Sequence, residues 1–455
     1  MANTKRSTIG SWQGFLSISC VLLVAVTMIQ CSDSFVEPVA QLGPNPPQAL
    51  KSTDGGLPPD GNLPSGALYA IRVPTAWNGD LVIYAHGYVS PDLELQMPDD
   101  EMEGISVSNT VTGLGYAYAT TSYRTNGLVV PYAVQDLAEL VVKFKSLNGT
   151  PRHIYFVGAS EGALITALAV ERHKELLSGA MPLSGPVGDF RRQIDYFGDF
   201  RVVFDYFFPD VLRVSGAPGA PRVSFVVPKS ERDRWDSWYK PRIESAMGNP
   251  GNQHAVEQLL RVTGAAIDPN DPTTAVQTAV DLLWYNFFAT EDARMKLGGQ
   301  PFDNTTRWYS GSDNDWKLNF GAGHVQRIRA TGDALKNISL YCQTSGNIHL
   351  PVVTMHTTLD HVVPYWHEPL YGLKILLKGS MLYRINIPIV RYGHGSFKIS
   401  EVLAGFAVLV LRVTLTDLIV AENVLPDAAQ QAEFLRLARE NGANPRVQKA
   451  TAVLK

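Results

Sequence analysis

Three polar side chains could carry out a reaction if the chain brings them together: Ser160, Asp360 and His394. Ser160 is the centre of Gly158-Ala-Ser-Glu-Gly162. Before it lies a short apolar run rich in β-formers, 154–157, and after it a helical pattern with Ala163, Ala167 and Val170 on one side and Leu164 and Leu168 beside them. A strand that turns sharply into a helix strains its turn residue, and glycines on either side remove the Cβ atoms that would collide there. The serine hydroxyl is then held up at the sheet edge. Asp360 and His394 sit in Asp360-His-Val-Val-Pro364 and Tyr392-Gly-His-Gly-Ser396, each just after another apolar run. A serine hydroxyl is a poor nucleophile at neutral pH and must lose its proton to a base as it attacks. His394, flanked by Gly393 and Gly395, is the expected base, with Asp360 to fix the imidazole tautomer and stabilise its positive charge. His356, His361 and His367 lie on or beside the acid-bearing loop and are read as packing or rim residues.

These residues need a frame. Strands are expected at 67–74 and 81–86, joined by a link whose Asn78-Gly79 pair is a hairpin-turn signal. A loop and a first helix follow in 90–114, a strand at 115–122, a helix over 132–147, and a strand at 178–184 after the serine helix. Such alternation implies a mainly parallel sheet covered by helices on both faces. It breaks across 186–345, which holds Trp235, Trp238, Trp284, Trp308 and Trp316 and the clusters Tyr206-Phe-Phe208 and Trp284-Tyr-Asn-Phe-Phe288. Those rings either build a core of their own or wall a cap over Ser160 that selects apolar groups, and the pattern allows both. The fold resumes with strands at 350–355 and 385–391 and a helix over 398–411, whose Val402, Leu403, Phe406 and Leu409 share one face. A further amphipathic helix is expected over 428–441.

A strand ending in His86-Gly87-Tyr88, the glycine-flanked Ser160, and the chain order Ser, Asp, His together give residues 66–415 a pattern that resembles the α/β-hydrolase superfamily. The resemblance implies an α/β fold with a mainly parallel central sheet, a catalytic domain of 66–185 and 346–455, and a mostly helical cap insertion over 186–345. It also implies a Ser160–His394–Asp360 triad and an oxyanion hole made by the backbone N–H groups of Glu161 and Tyr88. Gly87 would allow close approach there, and His86 would tie its loop in place. The Glu161 side chain has no evident role, and an ion pair pointing away from the site is expected. Tyr88 and the cap aromatics are the candidate substrate contacts. Such a mechanism needs no cofactor and no metal, and neither His-Glu-x-x-His, cysteine pairs nor a phosphate-loop glycine pattern is present.

With 455 residues, 45% hydrophobic, 18% charged and a net charge of -4, the chain has the composition of a globular protein and no basic block for nucleic acid. Residues 1–31 read as a signal peptide: Lys5 and Arg6 precede a largely apolar stretch, and the first acidic residue is Asp33. Cys31 stands where a bacterial lipoprotein carries its modified cysteine, although Gln30 departs from that pattern. Lipid anchoring at Cys31 and plain cleavage are the two alternatives, and both export the protein. Residues 32–65, rich in Pro and Gly, read as a tether. Cys342 is then the one cysteine of the mature globule and is read as a small buried apolar residue. The expected function is an exported serine hydrolase acting on small or polymeric carboxylic esters with apolar or aromatic groups. A peptidase or amidase on the same fold would need polar residues such as those of 230–236 inside the cap, and a third reading is a surface-tethered, non-catalytic binding protein. The oligomeric state is left open.

Overall fold

The computed structural model describes residues 56–420. The expected signal segment with Cys20 and Cys31, most of the 32–65 tether and the helix expected over 428–441 lie outside the described residues.

Strands β1 (Gly61–Asn62), β2 (Leu68–Arg72), β3 (Leu81–Ala85), β4 (Ala117–Thr121), β5 (Ile154–Ala159), β6 (Gly179–Leu183), β7 (Val352–Leu359) and β8 (Arg384–Tyr392) form one sheet in the order β1-β2-β4-β3-β5-β6-β7-β8. Every pairing from β4 to β8 is parallel, while β2 runs antiparallel to β1 and β4. The central strands are buried along their whole length, so they read as continuous rather than alternating apolar runs.

The longer helices are α1 (Val107–Gly113), α2 (Val130–Asn148), α3 (Glu161–Arg172), α4 (Phe190–Phe207), α5 (Lys240–Gly248), α6 (Gln253–Thr263), α7 (Thr274–Lys296), α8 (His367–Leu377) and α9 (Ile399–Val420). On one face of the sheet Leu137, Leu140 and Phe144 of α2, Leu164 and Leu168 of α3 and Tyr371 of α8 pack into a single core. On the other, Phe406, Leu409 and Val413 of α9 pack on Tyr155, Met181 and Val353, with Val111 of α1 beside them.

The expected hairpin at the start is not formed. The Asn78-Gly79 turn exists, with Gly79 at φ 90°, but β4 lies between the two strands that it joins. The link is occupied elsewhere: the Asn78 N–H bonds the Gly115 carbonyl and the Leu81 N–H the His153 carbonyl. These contacts turn the chain into β3 beside β5 instead of back along β2. A two-residue turn signal sets a local bend, and partners farther along the chain decide which strands pair.

Between β6 and β7 the chain adds no strand to the sheet. Helices α4 to α7 enclose their own core, in which Phe200, Phe204, Tyr239, Leu259, Leu283 and Phe287 are fully buried. Trp235 belongs to it, whereas Trp308 and Trp316 are more than half exposed. Other residues of this stretch, among them Phe190, Ala293, Ile338 and Cys342, join the core under the sheet. Cys342 is a buried free thiol, and burial pushes its pKa up.

The tightest backbone approach is at the start of α3. A Cβ on Gly162 would stand 2.0 Å from the Ala85 carbonyl oxygen and 2.5 Å from that of His86. Because the obstructing atoms are backbone, Gly162→Ala is expected to destabilise the fold by about 3 kcal/mol. Gly248→Ala, whose Cβ would meet nothing within 4 Å, is expected to be neutral or to stabilise by up to about 1 kcal/mol. Urea unfolding midpoints of the two variants check the contrast.

Candidate active site

In an open parallel sheet, ligands bind beyond the carboxyl ends of the strands, at the point where the strand order reverses. Here the chain leaves β3 for β4 on one side and then returns to β5 on the other, so that point lies between the ends of β3 and β5. Tyr88 follows β3 and Ser160 follows β5.

Ser160 has φ 55° and ψ -118°, a region that side chains other than glycine rarely enter. What holds it there is the contact between strand and helix. A Cβ on Gly158 would stand 2.2 Å from the Gly162 carbonyl oxygen, so both glycines flanking the serine are required by neighbouring backbone. Gly87 lies against the serine itself, with a hypothetical Cβ 3.3 Å from Ser160 Cβ. The next N–H, that of Tyr88, has no partner among the described residues. The Glu161 N–H stands at the first position of α3, and these two are the donors expected of an oxyanion site.

His394 Nε2 lies 2.9 Å from Ser160 Oγ, and His394 Nδ1 donates to Asp360 Oδ2 at 2.7 Å. Asp360 is fully buried, and its Oδ1 accepts the N–H groups of Val362 and Val363 at 3.0 and 2.8 Å. Burial alone would raise its pKa, but His394 and His356 outweigh that and hold it well below the usual carboxylate range. The three residues expected to act together are brought together, and the strands they follow are β5, β7 and β8.

The other three histidines are buried and bonded elsewhere. His356 Nε2 donates to the Val363 carbonyl at 2.7 Å and lies 3.5 Å from Asp360 Oδ2, while its Nδ1 is 3.4 Å from Glu368 Oε1. Burial would lower its pKa, but the two carboxylates prevail and raise it to about 10. Glu368 is paired in turn with Arg384 and accepts from Thr354 Oγ1 at 2.8 Å. A buried row of alternating charge therefore stands behind the acid. His367 accepts the N–H groups of Gly188 and Asp189 and donates to Gln193 Oε1, fastening the start of the insertion. His361 Nε2 bonds Asp281 Oδ2 at 2.7 Å. His86 Nδ1 donates to the Gly87 carbonyl at 2.8 Å, and burial lowers its pKa to about 4, so it braces its loop as a neutral ring.

Helix α7 crosses the site and is fixed on both sides of it. Asp281 holds His361 beside the acid, Thr278 bonds the Tyr392 hydroxyl at 2.9 Å beside the base, and Asp292 accepts the Leu128 N–H at 2.6 Å. The Tyr88 hydroxyl donates to the Phe288 carbonyl at 3.2 Å. Of the insertion's aromatic residues, Trp284 and Tyr285 line the cavity that opens on Ser160, a space of about 560 Å³. Burial raises the pKa of the Tyr285 hydroxyl, and the nearby Ser160 side chain works against this. Tyr285 lies within an aromatic cluster visible in the sequence, but nothing in its spacing marks it as the ring that meets the serine. For Asp281 the sequence holds no signal at all.

A sheet with two antiparallel strands at one edge and the rest parallel, a strained serine where β5 turns into α3, and an acid and a base after later strands decide the architecture. The chain has the α/β-hydrolase fold. No family model and no curated protein matches it. Among solved structures, the chain is similar to feruloyl esterase B from Aspergillus oryzae, at 14% identity over 73% of this chain and 72% of that one, with a TM-score of 0.38. It is similar also to an esterase from Pyrococcus furiosus, at 13% identity over 83% and 97% of the two chains and a TM-score of 0.37. A third is a Pyrococcus horikoshii acylaminoacyl peptidase, at 11% identity, 72% of this chain and a TM-score of 0.33, of which the chain spans only 35% of the length.

Glu161 differs from the expected ion pair. Its Oε1 accepts the Val129 N–H at 2.9 Å, and Oε2 is buried without a hydrogen-bond partner. Burial pushes the carboxyl up to about 8 against the Val129 bond and the charge of Lys296. Below that pH the group is neutral and does not oppose a negative charge forming at its own backbone N–H. Above it, a carboxylate appears beside the oxyanion site, and turnover is expected to fall by on the order of tenfold to a hundredfold. The pH profile of kcat for the wild type and Glu161→Gln tests this: the alkaline fall centred near 8 should disappear from the variant, and its persistence would assign it to another group.

Proposed function

We propose that this protein is a serine hydrolase that cleaves carboxylic esters through an acyl-enzyme. The observation that carries the proposal is His394 bridging Ser160 Oγ and Asp360 Oδ2 at hydrogen-bond distance on both sides, with the serine in a strained turn at a helix N-terminus. Ser160 attacks the ester carbonyl as His394 Nε2 takes its proton, Asp360 stabilises the imidazolium, and the N–H groups of Tyr88 and Glu161 receive the oxyanion. His394 then protonates the leaving alcohol. A water molecule, deprotonated by the same imidazole, releases the acid.

Apolar and aromatic esters fit the surroundings best. Tyr88, Trp284, Tyr285 and Phe397 stand on the cavity wall, and transfer of an apolar group there gains about 25 cal/mol per Å² buried. The peptidase reading asked for charges of 230–236 inside the cap, but none of these residues lines the cavity on Ser160, where the carboxylates are Glu94 and Asp100, and most of them are paired with one another or with other residues. Glu231 pairs with Arg234, Lys229 with Asp233, and Arg232 with Asp92 and Glu291. A peptide carboxylate would have to lose its hydration there with no cationic side chain on the cavity wall. A non-catalytic binding role leaves the alignment of serine, imidazole and carboxylate unexplained. Export, with or without a lipid on Cys31, is part of the proposal and rests on the sequence of residues 1–31 alone. Mass analysis of the mature N-terminus checks it.

Ser160→Ala and His394→Ala are each expected to lower kcat by at least about 10⁴-fold with the unfolding midpoint unchanged, and the double variant to be little worse, because the triad works as a unit. Asp360→Asn should cost on the order of 10⁴-fold by favouring the wrong imidazole tautomer. Steady-state rates on para-nitrophenyl esters and an aminoacyl anilide, with mass mapping of a fluorophosphonate adduct to Ser160, provide the test. Anilide preferred over every ester would favour the peptidase, and full activity of Ser160→Ala would remove the site assignment.

A further inference from the structure

Two cavities meet at Ser160, and they differ in kind. The larger, about 560 Å³, is also lined by His394, Gly395 and Phe397. The smaller, about 90 Å³, shares Ser160, Tyr88 and Tyr285 with it but is closed by Phe190, Ile194, Phe197, Ala289 and Val363 and includes no residue of the His394 loop. Phe197 is stacked on Tyr285 with ring centroids 4.8 Å apart and planes at 2°, so the ring that both cavities share is packed on one that lines only the smaller.

We propose that the small cavity is the acyl subsite, sized for a short apolar chain of about four carbons including the carbonyl, and that the large cavity takes a bulkier alcohol. The inference rests on the ester-hydrolase reading and deepens it. Its direction comes from the proton. When Ser160 Oγ bonds to the carbonyl carbon, its proton passes to His394 Nε2. Collapse of the tetrahedral intermediate reforms the C=O bond, breaks the bond to the alcohol oxygen and moves that same proton onto it. The leaving oxygen must therefore lie within hydrogen-bond reach of His394 Nε2, which places the alcohol in the cavity that His394 lines. The acyl chain is left with the other. Water then enters from the vacated side, gives one proton to His394 and adds hydroxide to the acyl carbon. Breaking the Ser160 ester bond returns the proton to the serine oxygen.

Size sets the length. A space of about 90 Å³ holds about three groups the size of a water molecule, at roughly 30 Å³ each, and so about three carbons beyond the carbonyl. Glu161, on the wall of this cavity with Oε2 unpartnered, is its one ionisable carboxyl; the Gln193 amide on the same wall is held by the Val362 carbonyl and His367, and beyond Ser160 and the two tyrosines the rest of the lining is apolar. A straight aliphatic chain fits such a lining, and a chain with a carboxylate at its end does not.

The test measures kcat/KM on para-nitrophenyl acetate, butyrate, hexanoate and octanoate, and on acetates of alcohols of increasing bulk. For the wild type we expect a rise of about fourfold per methylene to butyrate, a fall of at least about tenfold by octanoate as the cavity is overfilled, and no corresponding fall as the alcohol grows. Ala289→Leu, which fills the small cavity from α7, should lower the butyrate-to-acetate ratio by at least about tenfold, and Phe197→Ala should move the optimum to hexanoate or beyond. Unfolding midpoints are measured alongside. If one variant proves unstable, the other and the wild-type series decide. A rate that climbs steadily to octanoate, with Ala289→Leu altering only the response to the alcohol, would overturn the orientation while leaving an active esterase. A folded protein that turns over no ester would overturn the function as well, and this inference with it.

Discussion

The site depends on a close contact between two pieces of backbone. The first turn of α3 is pressed onto the end of β3 so closely that the Ala85 carbonyl occupies the space where a side chain on Gly162 would be. That contact fixes where the helix begins relative to the sheet, and the strained Ser160 is the residue that must span the gap. Strain of this kind costs on the order of 1–3 kcal/mol and persists only where surrounding packing determines it. Here the packing consists of α3, whose residues 161–170 are all buried, seated on the core beneath β3 and β5. Since Gly87 stands against the serine from the β3 side, the same contact bears on the spacing of the Tyr88 and Glu161 N–H groups.

Electrostatics are arranged around burial more than exposure. Asp360 is ionised in the interior because His394 and His356 both stand at its Oδ2, and His356 is itself balanced by Glu368, which faces Arg384. Any one of these charges buried alone would be costly. As a row they are mutually compensating, and together they leave the acid one orientation toward His394. Glu161 is the complementary case. It meets the same low-dielectric surroundings with too little compensating charge and takes the neutral form instead.

The grouping of Ser160, Asp360 and His394 was legible in the sequence because each lies just beyond an apolar run of strand length, and because the glycines around Ser160 report a backbone requirement rather than a side-chain preference. The strand and helix alternation was legible for the same local reason. The pairing of the first strands was not, since Asn78-Gly79 specifies a bend while hydrogen bonds to Gly115 and His153 determine where the chain goes. Glu161 could not be understood from its neighbours in sequence, because its partner, the Val129 N–H, comes from another element. Nor could the aromatic rings be sorted: Trp284, Trp235 and Trp316 are alike in sequence terms and end respectively at the cavity, in the insertion's core and in solvent. Which environment each meets depends on helix packing within the insertion, and that is a nonlocal property.

Helix α7 bears on how this architecture can change. Its Asp281 and Thr278 hold the residues next to the acid and the base, and its Asp292 holds the loop after β4. The segment that shapes the cavity is thus also a brace for the loops that carry Asp360 and His394, so it cannot be exchanged as a detachable module. A different roof grafted between β6 and β7 would bring new walls and remove three anchors at once. Variation in selectivity is accordingly open to side chains turned toward the cavities, such as Trp284, Tyr285 and Ala289 of α7 and Phe197 of α4, while the positions that tie α7 to the sheet stay fixed.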